Sequence, residues 1–346
     1  MYISCKLYPL MRIFLLITFL FLIGCSVTPD QQTGPGISSA ETFHVPRRND
    51  PLTPEQEKVR QQVTTAVVAD INGYLGNYIE MMTETRDQDG HVVKPGTRNI
   101  ISAMRQGPLV ISADDMRSLF PQYAASPASR SIHSQSVHEA VTAMAAELYR
   151  RALLVDDPRG NNTVLFTAGG VSSGKTTAIN TIDEVHSAVL AAQIIYDGTM
   201  RNYESAHQRV MLAMTAGKLV GVVYVFTPIE KSAVWLVDRA VVSGRVVQAE
   251  AAGRSHWQAQ HTFLQLVDEF AGNPAISFRL IDKSGEKAEV VPPATMKTKL
   301  YSADGRFKDM DAFIAYTKKL IRTELEKAKV DGRLIPETEA AFKAGE

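Results

Sequence analysis

Residues 169–176 read Gly-Gly-Val-Ser-Ser-Gly-Lys-Thr, a G-x-x-x-x-G-K-[ST] spacing that could hold a chain of phosphates. Gly169, Gly170 and Gly174 carry no Cβ, so backbone N–H groups can turn inward around phosphate oxygens. Val171, Ser172 and Ser173 complete the loop, and Thr177 follows it into the next helix. Lys175 is expected to reach the β- and γ-phosphates, and the Thr176 hydroxyl to hold Mg²⁺. The positive end of a helix starting there would add to the anion site. By average residue usage such a pattern arises by chance in roughly one chain per hundred of this length. The plain alternative is a Gly-rich turn before a helix. The flanks decide against it: residues 163–167 (TVLFT) read as a short strand, and residues 176–187 can form a helix. The expected ligand is ATP or GTP.

The elements that position this loop are read from the start of the chain. Residues 11–24 (MRIFLLITFLFLIG) carry one Arg and then an apolar run, short for a membrane span and suited to a secretory signal. Met11 makes a better start than Met1 for such a signal. The ending Leu22-Ile23-Gly24-Cys25 resembles a bacterial lipobox, which makes Cys25 the expected lipidation site. Ser26 follows rather than Asp, so the expected location is the cell envelope, at the outer membrane in preference to the inner one. An uncleaved N-terminal anchor is the alternative. Cys5 and Cys25 are the only cysteines, so a chain cut before Cys25 can form no internal disulfide. Removing residues 1–24 takes away Lys6 and Arg12, which brings 37 basic residues to 35 against 37 acidic ones. That balance gives no electrostatic footprint for nucleic acid.

Residues 26–52 are rich in Pro, Gly, Ser and Thr and read as a flexible tether. Thr53-Pro54-Glu55-Gln56 then announces a helix with Thr53 as N-cap, Pro54 at N1 and a capping box closed by Gln56. Val59, Val63, Val67, Ile71, Tyr74 and Tyr78 mark one buried face of it, and turn signals in residues 87–96 end it. Residues 108–112 (PLVIS) read as a short strand, 126–136 as loop and 138–154 as a strong helix. Residues 193–196 (QIIY) read as a strand ending in Asp197-Gly198-Thr199, and 205–216 as a helix. Residues 219–226 (LVGVVYVF) form an apolar strand of the kind found in a parallel sheet covered on both faces. A helix over 231–242 carries Arg239, residues 276–281 form a further strand, and 310–329 a charged amphipathic helix. Alternating strands and helices predict an α/β class: a mainly parallel sheet flanked by helices, of P-loop type, with helical N- and C-terminal appendages. His133 with His138, and His256 with His261, lack companions at metal-ligand spacing and read as ordinary surface or half-buried imidazoles.

From Thr163 onward an ordered set of motifs resembles the zeta-toxin family of P-loop kinases. After the phosphate loop come Asp197-Gly198-Thr199-Met200-Arg201 at a strand end, then Ala216-Gly217-Lys218 before the VVYVF strand. Asp238-Arg239 and Ser243-Gly244-Arg245-Val246-Val247 match the family's pair of phosphate-contacting arginines, and Arg279-Leu280-Ile281-Asp282 its last strand. The family's aspartate-bearing strand and substrate lid do not follow the phosphate loop here, because Lys175 and Thr199 are too close in the chain. They have their likeness upstream, in Leu109-Val110-Ile111-Ser112-Ala113-Asp114-Asp115-Met116-Arg117 with Pro121 and Tyr123, and in the helix beginning His138-Glu139-Ala140-Val141. The segment order is thus exchanged, as in a circular permutation. A parallel strand needs correct neighbours rather than a particular chain position.

The resemblance implies roles. Asp114 is the expected general base for a substrate hydroxyl, with Asp115 a competitor one residue away and a helix N-cap the structural alternative. Glu139 is expected to bind substrate, against a solvated helix face. Arg239 and Arg245 are expected to stabilise the transferred phosphoryl group, against ordinary surface arginines. Thr199 and Arg201 lie where a strand-end loop meets ligand and are expected at the substrate. Asp197 is expected to serve Mg²⁺, or else only to cap its strand. The implied activity is transfer of the γ-phosphate to a hydroxyl of a small molecule, with a nucleotide sugar such as UDP-N-acetylglucosamine as acceptor and any antitoxin unknown. The competing account is a non-catalytic nucleotide-binding envelope lipoprotein. The expected organisation is a signal peptide over 1–24, a tether over 25–52, a kinase domain over 53–300 (base and lid segment 53–160, phosphate-loop core 161–300), and a helical extension over 301–346.

Overall fold

Thr53 starts the first helix as its sequence predicts. Its hydroxyl accepts from the Gln56 N–H at 3.3 Å while its own N–H reaches Gln56 Oε1 at 2.9 Å. In this computed structural model, which describes residues 43–47 and 52–343, the helix runs Pro54–Ala69 and buries Val59, Val63 and Val67. It does not continue to Tyr78 as one piece. Asp70 leaves helical geometry, accepts from the Gly73 N–H at 2.9 Å, and caps a second helix, Ile71–Thr83. A mid-helix Asp competes for backbone donors in this way, which is why the stripe of apolar residues alone did not reveal the break. The expected lipidation site, Cys25, and the signal and tether around it lie outside the described residues. Among the described residues no helix is long and apolar enough to cross a membrane.

A small antiparallel ribbon, β1 (Thr85–Arg86) with β2 (Val92–Lys94), follows. The main sheet consists of β3 (Leu109–Ser112), β4 (Thr163–Ala168), β5 (Ile194–Asp197), β6 (Leu219–Phe226), β7 (Ile276–Asp282) and β8 (Glu289–Val291). Their spatial order is β3-β5-β4-β6-β7-β8; the first five are parallel and β8 runs antiparallel to β7. The fold is therefore α/β, a mainly parallel sheet flanked by helices in the P-loop manner, as the alternation of elements predicts.

Strand β4 shows how the layers close. Val164 and Phe166 face one apolar cluster, shared with the helices His138–Leu153, Tyr203–Thr215 and Ala249–Glu269. Leu165 faces the other, built with Ala178, Ile179 and Val185. Period-two alternation with both faces buried is what an interior parallel strand requires. The helix expected over 176–187 is two, Lys175–Thr181 and Asp183–Leu190, with extended Ile182 between them. Strand β3 lies at the sheet edge, and fully buried Tyr78 covers it: its hydroxyl donates to Val110 O at 3.1 Å and accepts from Ser112 N at 3.0 Å.

The expected loop 126–136 contains a helix, Pro127–His133, capped by Ser126 with Pro127 in its first turn. It packs where the helix Ile229–Ser243 ends. Gly244 there has φ 71°, and a Cβ on it would lie 1.9 Å from Pro127 O, so both the left-handed turn and the close approach demand glycine. Ser131 Oγ bonds Gly244 O at 3.0 Å and meets buried Thr338 Oγ1 at 3.1 Å, tying in the last helix, Pro336–Lys343. The helix Met310–Val330 shares an apolar cluster with Ile229–Ser243 through Ile321, Leu236 and Ala240.

Candidate active site

The site lies at the carboxyl ends of β3, β5 and β4. Asp197 ends β5 directly opposite Thr167 in β4 and Ser112 in β3, so the three strand ends are level. Asp114 sits two residues past Ser112, and the phosphate loop begins two residues past Thr167. Residues far apart in the chain thus reach one crevice, where open parallel sheets bind ligands.

The loop is anchored from outside by four separate elements. Gly169 N donates to Thr199 O at 3.4 Å, and Thr227 Oγ1 donates to Ser173 O at 2.8 Å. His256 Nε2 lies 2.7 Å from Val171 O, and Lys283 Nζ donates to Gly174 O at 3.3 Å. A carbonyl only accepts, so Nε2 of His256 carries the proton. Gly170 has no room for a side chain, since a Cβ would come within 2.3 Å of the His256 ring. With three loop carbonyls held outward, the remaining backbone donors are left for an anion. Burial lowers the His256 pKa to about 4, with Lys175 adding to the fall, against the Val171 bond, which raises it. The ring is therefore neutral at physiological pH.

Lys175 lies in the loop with its ammonium near the Gly169 and Gly170 carbonyls, at 3.5 and 3.4 Å. Its pKa is lowered by burial, against the raising influence of Asp197 and Asp114. Both carboxylates therefore lie within Coulombic reach of the loop lysine.

Asp114 is not the cap of its helix. Ser112 takes that place, accepting from the Asp115 N–H at 3.3 Å, and leaves the Asp114 carboxylate free to face the crevice with 49% of its side chain open. Arg245 Nη2 donates to it at 2.7 Å and Arg117 Nη2 lies at 3.5 Å. Crowding by neighbouring atoms pushes its pKa up, but Arg117, Arg245, Arg239 and Lys175 together outweigh that and bring it to about 2. Asp115 moves the other way, raised by burial and then by Asp197 and Asp114. The adjacent acids thus have opposite environments, with the pKa of Asp114 lowered by the surrounding cations and that of Asp115 raised by burial.

Arg239 and Arg245 converge from either side of the Gly244 turn. Arg239 stands in the penultimate turn of its helix, its pKa lowered by burial and by Arg245 despite Asp114. The Nε atoms of Arg239 and Arg117 and the hydroxyls of Ser172 and Ser173 are buried without a hydrogen-bond partner. The Ser172 and Ser173 hydroxyls stand in the loop itself and Arg239 lies within Coulombic reach of Lys175, donors that suit an anion with several oxygens.

The other sequence candidates divide. Thr199 meets the loop through its carbonyl, and Arg201 accepts at its carbonyl from Thr262 at 3.2 Å. Between them Met200 is buried with φ 51°, a left-handed conformation rare for such a side chain and common where a backbone is shaped for a ligand. Asp197 accepts the Thr167 hydroxyl, while Thr176 is exposed at the loop. Both offer hard oxygen ligands of the kind Mg²⁺ takes. Glu139 is buried and ion-paired with Arg60 Nη1 of the first helix at 3.0 Å, an internal partner and not the solvated face the sequence also allowed. Three residues that the sequence did not single out belong here: Arg117, His256 and Lys283. For Arg117 the signal was available, one helical turn after Asp114; the other two come from distant elements.

No family model matches the chain, and no curated protein matches it. Among solved structures, AvrRxo1-ORF1:-ORF2 with ATP is 14% identical, covering 58% of this chain and 87% of that one, at a TM-score of 0.39. The native AvrRxo1-ORF1:-ORF2 complex is 14% identical over 65% of this chain and 92% of that one, with a TM-score of 0.40. The PezAT chromosomal toxin-antitoxin system of Streptococcus pneumoniae is 11% identical over 80% of this chain and 99% of that one, with a TM-score of 0.36. These are distant likenesses, all with TM-scores of 0.40 or below.

Proposed function

We propose that this chain is a P-loop kinase that moves the γ-phosphate of ATP or GTP onto a hydroxyl of a small molecule. The observation that carries the proposal is the Asp114 carboxylate, held by Arg245 at 2.7 Å and under the influence of Lys175 and Arg239. A base, a phosphate loop and two arginines in one crevice are the parts that phosphoryl transfer needs. The sheet order supports the exchanged segment order of the zeta-toxin resemblance, because β3 brings Asp114 beside β5 although it precedes the phosphate loop in the chain.

In the reaction, the acceptor oxygen forms a bond to the γ-phosphorus and its proton passes to Asp114 Oδ. The bond from the γ-phosphorus to the β–γ bridging oxygen breaks, and the nucleoside diphosphate leaves. Lys175, Arg239 and Arg245 balance the charge spread over the transferred oxygens. Thr176 and Asp197 would hold Mg²⁺, whose charge would offset that of the phosphates. Nucleotide bound at the loop would compete with Asp114 for Arg245 and uncover the base. A nucleotide sugar such as UDP-N-acetylglucosamine is the acceptor we propose from the resemblance. Thr199 and Arg201 are the residues we propose to contact it, whereas Glu139 could act only after parting from Arg60. A lipid on Cys25 would keep the enzyme in the bacterial envelope, and mass spectrometry of the native chain would reveal a diacylglyceryl group there.

The test is to offer the full chain γ-labelled ATP or GTP with a panel of hydroxyl acceptors and follow label transfer. Label appearing in an acceptor supports the kinase. Nucleotide that binds but never yields labelled product, with any acceptor, favours the non-catalytic account.

A further inference from the structure

A second feature adjoins the phosphate loop at Gly174 and takes no part in the chemistry above. Trp235 lies on the same helix as Arg239, four residues earlier, so the two share a face one turn apart. One turn advances about 5–6 Å along the axis, comparable with the span between the first and last phosphates of a triphosphate. Trp235 is large and apolar, yet 39% of it is exposed. It flanks Gly174: a Cβ built there would lie 3.5 Å from the indole Cζ3.

The ring has a charged neighbour. Lys283 Nζ stands 4.9 Å from the Trp235 ring centroid and also donates to Gly174 O at 3.3 Å. The loop that carries Lys283 is fixed in place. Lys231 Nζ accepts no bond and donates to three successive carbonyls there, those of Lys283 at 3.3 Å, Ser284 at 2.6 Å and Gly285 at 2.8 Å. The Asp282 carboxylate holds the next residue, accepting from Ser284 N at 2.8 Å. A half-exposed aromatic ring beside a rigid loop, at the end of a phosphate cradle, is a stacking platform.

Resting on the phosphate-binding reading, we infer that Trp235 is the nucleobase platform of the site and that Lys283 pairs with the phosphate nearest the ribose. Lys231 holds the carbonyls of residues 283–285, so the edge of a base on the ring meets a loop whose acceptors are already partly engaged. Recognition by the ring face tolerates any purine. Adenine and guanine nucleotides are therefore expected to bind within a few-fold of each other.

The composition makes the test direct, since the chain has two tryptophans, Trp235 and Trp257. Trp257 is stacked on His261 at 4.7 Å and tilted against Phe313 at 5.6 Å. Full-length Trp257→Phe, with Trp235 as its only indole, is titrated with ADP, GDP and inorganic tripolyphosphate while fluorescence is recorded. The same titrations on Trp235→Phe report Trp257 alone. Binding is measured in parallel by calorimetry, with Trp235→Leu and Lys283→Met included.

The expected result is quenching of Trp235 by ADP and GDP, and none of Trp257. Trp235→Leu should weaken ADP about tenfold, the loss of one stacked base, and leave tripolyphosphate unchanged. Lys283→Met should weaken both, because it reads phosphate. If ADP binds in a Lys175-dependent way but leaves Trp235 fluorescence and Trp235→Leu affinity unchanged, the platform is refuted while the phosphate loop stands. If neither ADP nor tripolyphosphate binds, both readings fall together.

Discussion

Arg245 donates to the Asp114 carboxylate at 2.7 Å across 131 positions of chain, joining the turn after one helix to the turn after strand β3. That bond places the candidate base among the cations of the phosphate site. On the proposed mechanism, phosphate bound at the loop would compete with Asp114 for that arginine.

Asp114→Asn should leave nucleotide affinity close to that of the parent and lower transfer by roughly 10²–10⁴-fold, the usual worth of a positioned base. Measuring kcat together with the calorimetric Kd separates the two. A fall in affinity with unchanged turnover would assign Asp114 to binding instead.

The pH dependence follows from the sign of its shift. Asp114 has its pKa lowered to about 2 from 3.8, so the carboxylate is ionised throughout the neutral range. It contributes stability above about pH 4, lost as pH falls through about 2. Activity should accordingly show no acid limb from this group above about pH 4. Arg117→Gln removes the largest of the lowering influences and should carry such a limb upward, visible in a kcat/KM profile.

Replacing Arg239 by Ala should slow transfer on the order of 10³-fold, as loss of a phosphate-stabilising arginine does elsewhere. Lysine should restore only part of this, since an ammonium lacks the planar fork of donors. Single-turnover rates with saturating nucleotide give the comparison.

His256 makes the phosphate loop acid-sensitive. Its folded pKa is lowered from 6.5 to about 4, so on acidification the unfolded chain takes up a proton that the folded ring refuses. Stability from this group is complete above about pH 6.5 and declines towards pH 4, by on the order of 3 kcal/mol. His256→Gln should flatten the denaturation midpoint over that window.

Tyr78→Phe tests the edge of the sheet. It would leave Val110 O and Ser112 N without their buried partner, at a cost of about 1–3 kcal/mol in urea unfolding. As Ser112 caps the turn bearing Asp114, turnover should fall as well.

The sequence disclosed what depends on local spacing. The phosphate loop, the apolar runs of β4 and β6, the Thr53 capping box and the pairing of Arg239 with Arg245 across a helix end are all written within a few residues. The helix Ala249–Glu269 is missing from the expected elements although its polar and apolar residues segregate clearly; its buried face includes Ala252, Gly253, Ser255, His256, Ala259, Gln260 and Thr262. So His256, which sits on that face, read as an ordinary imidazole. The Arg60–Glu139 pair joins residues 79 apart, and no local pattern encodes it. By contrast the helix Pro127–His133 had its signal in Ser126-Pro127, outweighed there by a run of serines that suggests loop.

The most direct measurement is phosphoryl transfer from γ-labelled ATP by the full chain, by Asp114→Asn and by Asp115→Asn, under one set of conditions with nucleotide binding confirmed for each. Labelled acceptor formed by the parent and by Asp115→Asn, and lost in Asp114→Asn, is the predicted result. Equal transfer by parent and Asp114→Asn would contradict the account, because the carboxylate that Arg245 holds would then have no part in the reaction.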